Sequence, residues 1–161
     1  MKLNLVATSL CATLLVALSG ATAAPATTVN GAAALALAGV VAPNSPRLPS
    51  AEKKAVAAFF NGRADAPSEK ITVTADKIVC RSSNVDITAR SCELTFGKTT
   101  RTLKGRAANE IDATLAMAGI PSDGAAGSIF ESLSKLSCTL DPAGIKDKAG
   151  GGADCTYVPA N

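Results

Sequence analysis

Apolar and polar residues alternate with period two over 71–74, where Ile71 and Val73 interleave with Thr72 and Thr74, and again over 77–81 beyond a turn at Ala75-Asp76. Residues 82–89 read as a polar connection interrupted by Val85 and Ile87. Cys92, Leu94 and Phe96 then alternate with Glu93 and Thr95, and Gly97-Lys98 suits a two-residue type II′ hairpin with Gly at its first central position. That turn sets a register of Phe96 opposite Thr99, Leu94 opposite Arg101 and Cys92 opposite Leu103. After Gly105 the period lengthens: Ala108, Ile111, Leu115 and Ala118 recur at helical spacing until Gly119 and Pro121 stop the run. A second helix is predicted from a cap at Ser122 or Asp123, carrying Ala126, Ile129, Phe130 and Leu133, with Gly127 costing it about 1 kcal/mol relative to Ala. Strand patterns return at 137–140 and 154–158, separated by a turn-like Asp141-Pro142 and the triplet Gly150-Gly151-Gly152.

Upstream the pattern is weaker. Lys2, an apolar run over 10–18 and small residues at Ala21-Thr22-Ala23 follow the order of a secretory signal peptide, with cleavage expected after Ala23. The run is too short to span a bilayer core, which needs about 20 helical residues; Leu10 stands where a small residue would precede a lipidated cysteine, so Cys11 is expected to leave with the peptide. Residues 24–50 are rich in Ala, Thr and Pro and read as a flexible leader. Ser50 caps a helix over 51–61, with Glu52 in its first turn, Gly62 behind it, and Val56, Phe59 and Phe60 on a stripe expected to dock on the domain. The expected organisation is a signal peptide (1–23), a leader (24–50) and one stapled domain (51–161). Its fold class is α+β: a small antiparallel sheet of four to six short strands, two central helices on one face, two disulfides and an N-terminal helix.

Export gives the cysteine count meaning. Cys80, Cys92, Cys138 and Cys155 remain after cleavage, and in an oxidising compartment four cysteines read as two disulfides with three possible pairings. Local pairing, Cys80 with Cys92 and Cys138 with Cys155, is the reading adopted, since each closes a short loop. Zinc is not expected, because no Cys-x-x-Cys occurs and the chain has no histidine.

The absence of histidine also removes Ser-His-Asp and Cys-His catalysis. Gly97-Lys98-Thr99 matches only the tail of a phosphate-binding loop and precedes a strand rather than a helix. Ser132-x-x-Lys135 lacks the companion motifs of penicillin-recognising enzymes. Asp141, Asp147 and Asp154 do not follow the calcium-loop spacing. No catalytic residue, cofactor or metal is therefore expected. A net charge of +3, one unit of it from Lys2, is too mild for an obligatory nucleic-acid partner. Four Phe, one Tyr and no Trp leave little material for base-stacking or sugar-binding platforms. One concentration of charge remains: Lys98, Arg101, Lys104 and Arg106, with no acid among them, a candidate binding set for an anionic partner that would also guard an edge strand.

Several strings, among them Asp76-Lys77-Ile78, Ser83-Asn84-Val85-Asp86-Ile87, Ser91-Cys92-Glu93-Leu94, Gly124-Ala125-Ala126-Gly127-Ser128-Ile129 and Gly150-Gly151-Gly152-Ala153-Asp154-Cys155, resemble a group of uncharacterised small exported proteins of alphaproteobacteria. The likeness covers roughly residues 69–157 and implies a periplasmic or secreted setting, with no activity attached. The expected function is a non-enzymatic module that binds another protein, in the manner of an inhibitor. The alternative is an envelope or matrix component that contacts anionic polymer or lipid through the basic hairpin.

Overall fold

In a computed structural model of the chain, residues 24–60, 69–82, 90–120, 130–141 and 152–159 are described. Three helices pack with a seven-stranded antiparallel sheet of order β1-β7-β6-β3-β4-β5, and β2 pairs with β6. The strands are β1 (Thr27–Asn30), β2 (Ile71–Ala75), β3 (Lys77–Ser82), β4 (Arg90–Phe96), β5 (Thr99–Lys104), β6 (Phe130–Leu140) and β7 (Ala153–Pro159). The helices are α1 (Gly31–Val41), α2 (Ser50–Phe60) and α3 (Arg106–Met117). The signal-peptide reading lies outside the described residues.

The segment expected to be a flexible leader is instead part of the fold. β1 adds to the sheet edge beside β7, with Thr28 opposite Thr156 and Val29 opposite Cys155. Helix α1 then lies over β7, β6 and β2 and against α3. Its Ala34, Leu37, Ala38 and Val41 recur at three- and four-residue spacing and are fully buried. The physical reason is that alanine-rich composition, read as unable to bury much surface, is also the composition of highest helix propensity. Small side chains let the helix sit close to the sheet. A 3₁₀ turn at Ala42–Asn44 with Pro43 in its first turn ends the run. The helix over 50–60 is therefore preceded by α1 and is the second among the described residues, and it packs mainly on α1.

The helices covering the sheet are α1 and α3. Helix α3 buries Ala108, Ile111, Leu115 and Ala118, the stripe its spacing predicts, and Gly119 ends it at φ 72°, where only glycine sits without a Cβ penalty. The second central helix expected over 122–133 is corrected: residues 130–133 belong to strand β6, and 121–129 lie outside the described residues. Leu133 and Leu136, three apart, both reach the core because β6 carries a register shift against β7 between Leu133 and Lys135. An extra residue in a strand converts a spacing of two into one of three. The strand count also exceeds the expected four to six, because β1 joins the sheet.

Nor does the chain reverse at Ala75-Asp76. β2 and β3 run antiparallel to β6 in one register, from Ile71 opposite Leu140 to Arg81 opposite Phe130, so they are two halves of one long strand bent at Asp76. The bend lets Ile71, Val73 and Ala75 before it and Ile78 and Cys80 after it all reach the core. Both disulfides form with local pairing, Cys80–Cys92 and Cys138–Cys155, between residues directly opposite on neighbouring strands. All four cysteines are buried under the helices. Cys155 Sγ rests 3.2 Å from the Ala34 carbonyl and Cys92 Sγ 3.4 Å from that of Ala108. A bonded sulfur has no proton to donate, so these are packing contacts.

Candidate binding surface

The β4–β5 hairpin has the register its sequence predicts, with Phe96 opposite Thr99, Leu94 opposite Arg101 and Cys92 opposite Leu103. Gly97 turns it at φ 62°. The tip is held from behind by a side chain at the β2–β3 bend: Asp76 accepts from the Gly97 backbone N–H and from the two terminal guanidinium nitrogens of Arg47, at 3.2 Å for Nη1 and 2.6 Å for Nη2. Those hydrogen bonds to Arg47 and Gly97 hold the Asp76 carboxyl below its ordinary range and raise the Arg47 guanidinium. Arg47 and Asp76 are 29 positions apart, and nothing in the sequence marked them.

Backbone direction along β5 follows from two hydrogen bonds. Thr95 O on β4 accepts from Asp76 N, on the β3 side, whereas Arg90 O accepts from Gly105 N, on the β5 side. Alternation then turns the backbone groups of Arg90, Cys92, Leu94 and Phe96 toward β5. On β5 itself, Thr99, Arg101 and Leu103 face β4, and Thr100, Thr102 and Lys104 direct their N–H and C=O groups outward. β5 ends the sheet and is exposed at five of its six residues. It is an unpaired edge among the described residues.

The four cations singled out in the sequence do not converge on one face. Lys98 stands at the hairpin tip; Arg101 shares the helix-side face with Leu94 and Leu103; Lys104 shares the opposite face with Ser91. Arg106 opens α3 and pairs with Glu110 at 3.0 Å. Four of the five described arginines meet a carboxylate, Arg47 with Asp76, Arg81 with Glu93, Arg90 with Asp112 and Arg106 with Glu110. Arg101 has no such partner among the described residues, nor have Lys98 and Lys104. The acid on the β4 row beside Thr102, Glu93, is held by Arg81 at 3.4 Å.

No protein family, curated protein or solved structure matches the chain. The two bonded cysteine pairs point to an oxidising, exported environment. No helix among the described residues is long and apolar enough to cross a membrane.

A second surface feature escaped the sequence. A half-open groove of about 590 Å³ runs between α1 and α3 and is lined by Val40, Leu103, Ile111 and Met117, with Phe60 at the end of α2 forming part of its wall. Phe60, expected to dock on the domain, is 52% exposed, and Met117 is 69% exposed. The Phe60 ring reaches α1 only because residue 39 is glycine: a Cβ there would meet its Cδ2 at 2.6 Å. The available signal was weak, an apolar Met117 at the end of α3 outside the buried stripe.

Proposed function

We propose that the protein is an exported, non-enzymatic binding module of the periplasm or extracellular space, which takes an extended acidic segment of a partner protein as an added strand beside β5. The observation that carries this reading is the coincidence, on one unpaired edge, of outward backbone groups at Thr100, Thr102 and Lys104 with three cations, Lys98, Arg101 and Lys104, that lack carboxylate partners among the described residues. Strand addition draws affinity from main-chain hydrogen bonds and specificity from alternate side chains. A complementary strand would set acids toward Arg101 on one face and Lys104 on the other. The Cys80–Cys92 disulfide and the Arg47–Asp76 clamp hold the hairpin in place, so little ordering cost falls on binding.

The test is fluorescence anisotropy with a labelled peptide of alternating Val and Glu. Thr102→Pro deletes an outward N–H that the sheet does not use, so the fold should persist while peptide binding is lost. Arg101→Glu with Lys104→Glu should abolish binding as well. If the peptide binds the proline variant unchanged and polyglutamate competes equally, strand addition is wrong and the basic hairpin serves an anionic polymer or lipid by charge alone.

A further inference from the structure

We propose that the groove between α1 and α3 is a binding site for a single-chain anionic amphiphile, a long-chain carboxylate, with the alkyl chain in the groove and the headgroup at Arg101. Its volume of about 590 Å³ falls within the ~300–1,000 Å³ of small-molecule sites. Its polar side chains are already engaged within the protein. Asn44 Nδ2 donates to the Val40 carbonyl at 3.0 Å, Thr114 Oγ1 to the Glu110 carbonyl at 2.7 Å, and the Glu110 carboxylate is held by Arg106. What remains is largely apolar: Val40, Leu103, Ile111, Phe60 and Met117.

Small residues keep the space open. Ala107 and Ala113 lie on the exposed side of α3, and on α1 Gly39 leaves room for the Phe60 ring that forms one wall. The groove leaves Phe60 and Met117 largely in water, the two exposed large hydrophobics of the described residues. Covering them with an alkyl chain removes apolar surface from water at about 25 cal/mol per Å².

The charge of the headgroup follows from register. Arg101 lies two residues from Leu103 on the same face of β5, and Leu103 lines the groove. Arg101 is also the one described arginine without a carboxylate. An anion at the end of the groove would complete its pairing, while a cation would be repelled. The alkyl chain enters from the helix side and not along the strand edge, so this site shares Arg101 with the β5 edge but uses none of the outward backbone groups at Thr100, Thr102 and Lys104.

The chain has two methionines, Met1 and Met117, so ε-¹³C-methionine labelling of the purified protein places one reporter on the groove. Titration with hexadecanoate below its micelle concentration should shift the Met117 methyl resonance in a saturable 1:1 manner. Calorimetry should give the same stoichiometry. Ala113→Trp, which fills the groove from an exposed helix position, should abolish the shift while leaving the circular dichroism spectrum unchanged. Arg101→Glu should raise the dissociation constant about tenfold, and Thr102→Pro should leave it unaltered. An unmoved Met117 resonance would overturn the site. Wild-type binding by the tryptophan variant would overturn the placement of the chain, and an unchanged constant in Arg101→Glu would overturn the anionic headgroup.

Discussion

Replacing Leu37 by alanine tests whether α1 is part of the core. Leu37 is fully buried among residues of α1, the sheet and α3. Truncation removes its transfer free energy and leaves a cavity, a combination that costs ~2–5 kcal/mol at buried leucines. α1 forms an outer layer that can settle partway onto the sheet, so the middle of that range applies, about 3 kcal/mol. Against a domain stability of roughly 5–15 kcal/mol this is a large fraction. Urea unfolding followed by far-ultraviolet circular dichroism should show the midpoint falling by about 1.5 M, for a slope near ~2 kcal/mol per molar that does not itself change. Leu35→Ala, at a partly buried position of the same helix, should cost no more than about 1 kcal/mol and serves as the control. The reasoning is refuted if Leu37→Ala costs less than about 1 kcal/mol, or matches Leu35→Ala, because α1 would then contribute nothing to the cooperative unit.

Further expectations concern the crosslinks, the hairpin clamp, a partly buried ion pair and one glycine. The disulfides close separations of 12 and 17 residues, for which loop-closure entropy gives about 3 kcal/mol each; Cys80→Ala with Cys92→Ala should lower the urea-derived stability by at least that much, and buried sulfurs should resist reductant until the chain is unfolded. Asp76 has a folded pKa below its unfolded value of 3.8, so its stabilisation is present above that value and is lost as pH falls through the folded pKa. Thermal melts between about pH 5 and pH 2 should therefore show a shallower acid slope in Asp76→Asn than in the wild type, and parallel slopes would refute the clamp. Arg90→Ala strands the Asp112 carboxylate, 13% exposed on α3; it should cost about 2 kcal/mol in the same urea assay, less than the ~3–5 of a fully buried pair, with Asp112→Asn in the Arg90→Ala background restoring part of it. Gly39→Ala should gain up to about 1 kcal/mol of helix propensity, because the half-exposed Phe60 ring can swing aside; a net loss larger than that would mean the ring is pinned.

What could be read from the sequence was what short-range rules control. The β4–β5 register follows from one glycine and an alternating pattern, and α3 from one uninterrupted stripe with a glycine stop. Local disulfide pairing followed from the same strands. The failures have a common origin in phase. A register shift in β6 set the buried Leu133 and Leu136 three apart, and period alone cannot distinguish a shifted strand from a helix turn. Asp76 looked like a turn because it carries turn chemistry, yet the strand passes through it in unchanged register and its carboxylate is spent on Arg47 and Gly97. In α1, Ala34, Leu37, Ala38 and Val41 already formed a helical stripe, hidden because every neighbouring position is also apolar. The cations of the candidate surface were legible as residues, and the predicted hairpin register already set Arg101 and Lys104 on different faces, whereas the Arg47–Asp76 contact needed the fold.

Whether the β5 edge is guarded or offered for pairing turns on what its outward positions carry. A guarded edge is blunted by proline, by a bulge, or by charges in mid-strand. β5 is six residues long, holds no proline, and has threonine at two of its three outward positions, Thr100 and Thr102. Threonine is among the residues that favour extended pairing. The lysines stand at the ends, Lys98 in the turn and Lys104 at the last position, where they leave the centre of the strand open. At the other end of the sheet β1 is only four residues long, the ordinary way of limiting an edge. The one mid-strand charge, Arg101, sits at a position whose backbone is paired with β4, so the outward groups at Thr100 and Thr102 stay open and the cations select the sign of a partner rather than repel all strands.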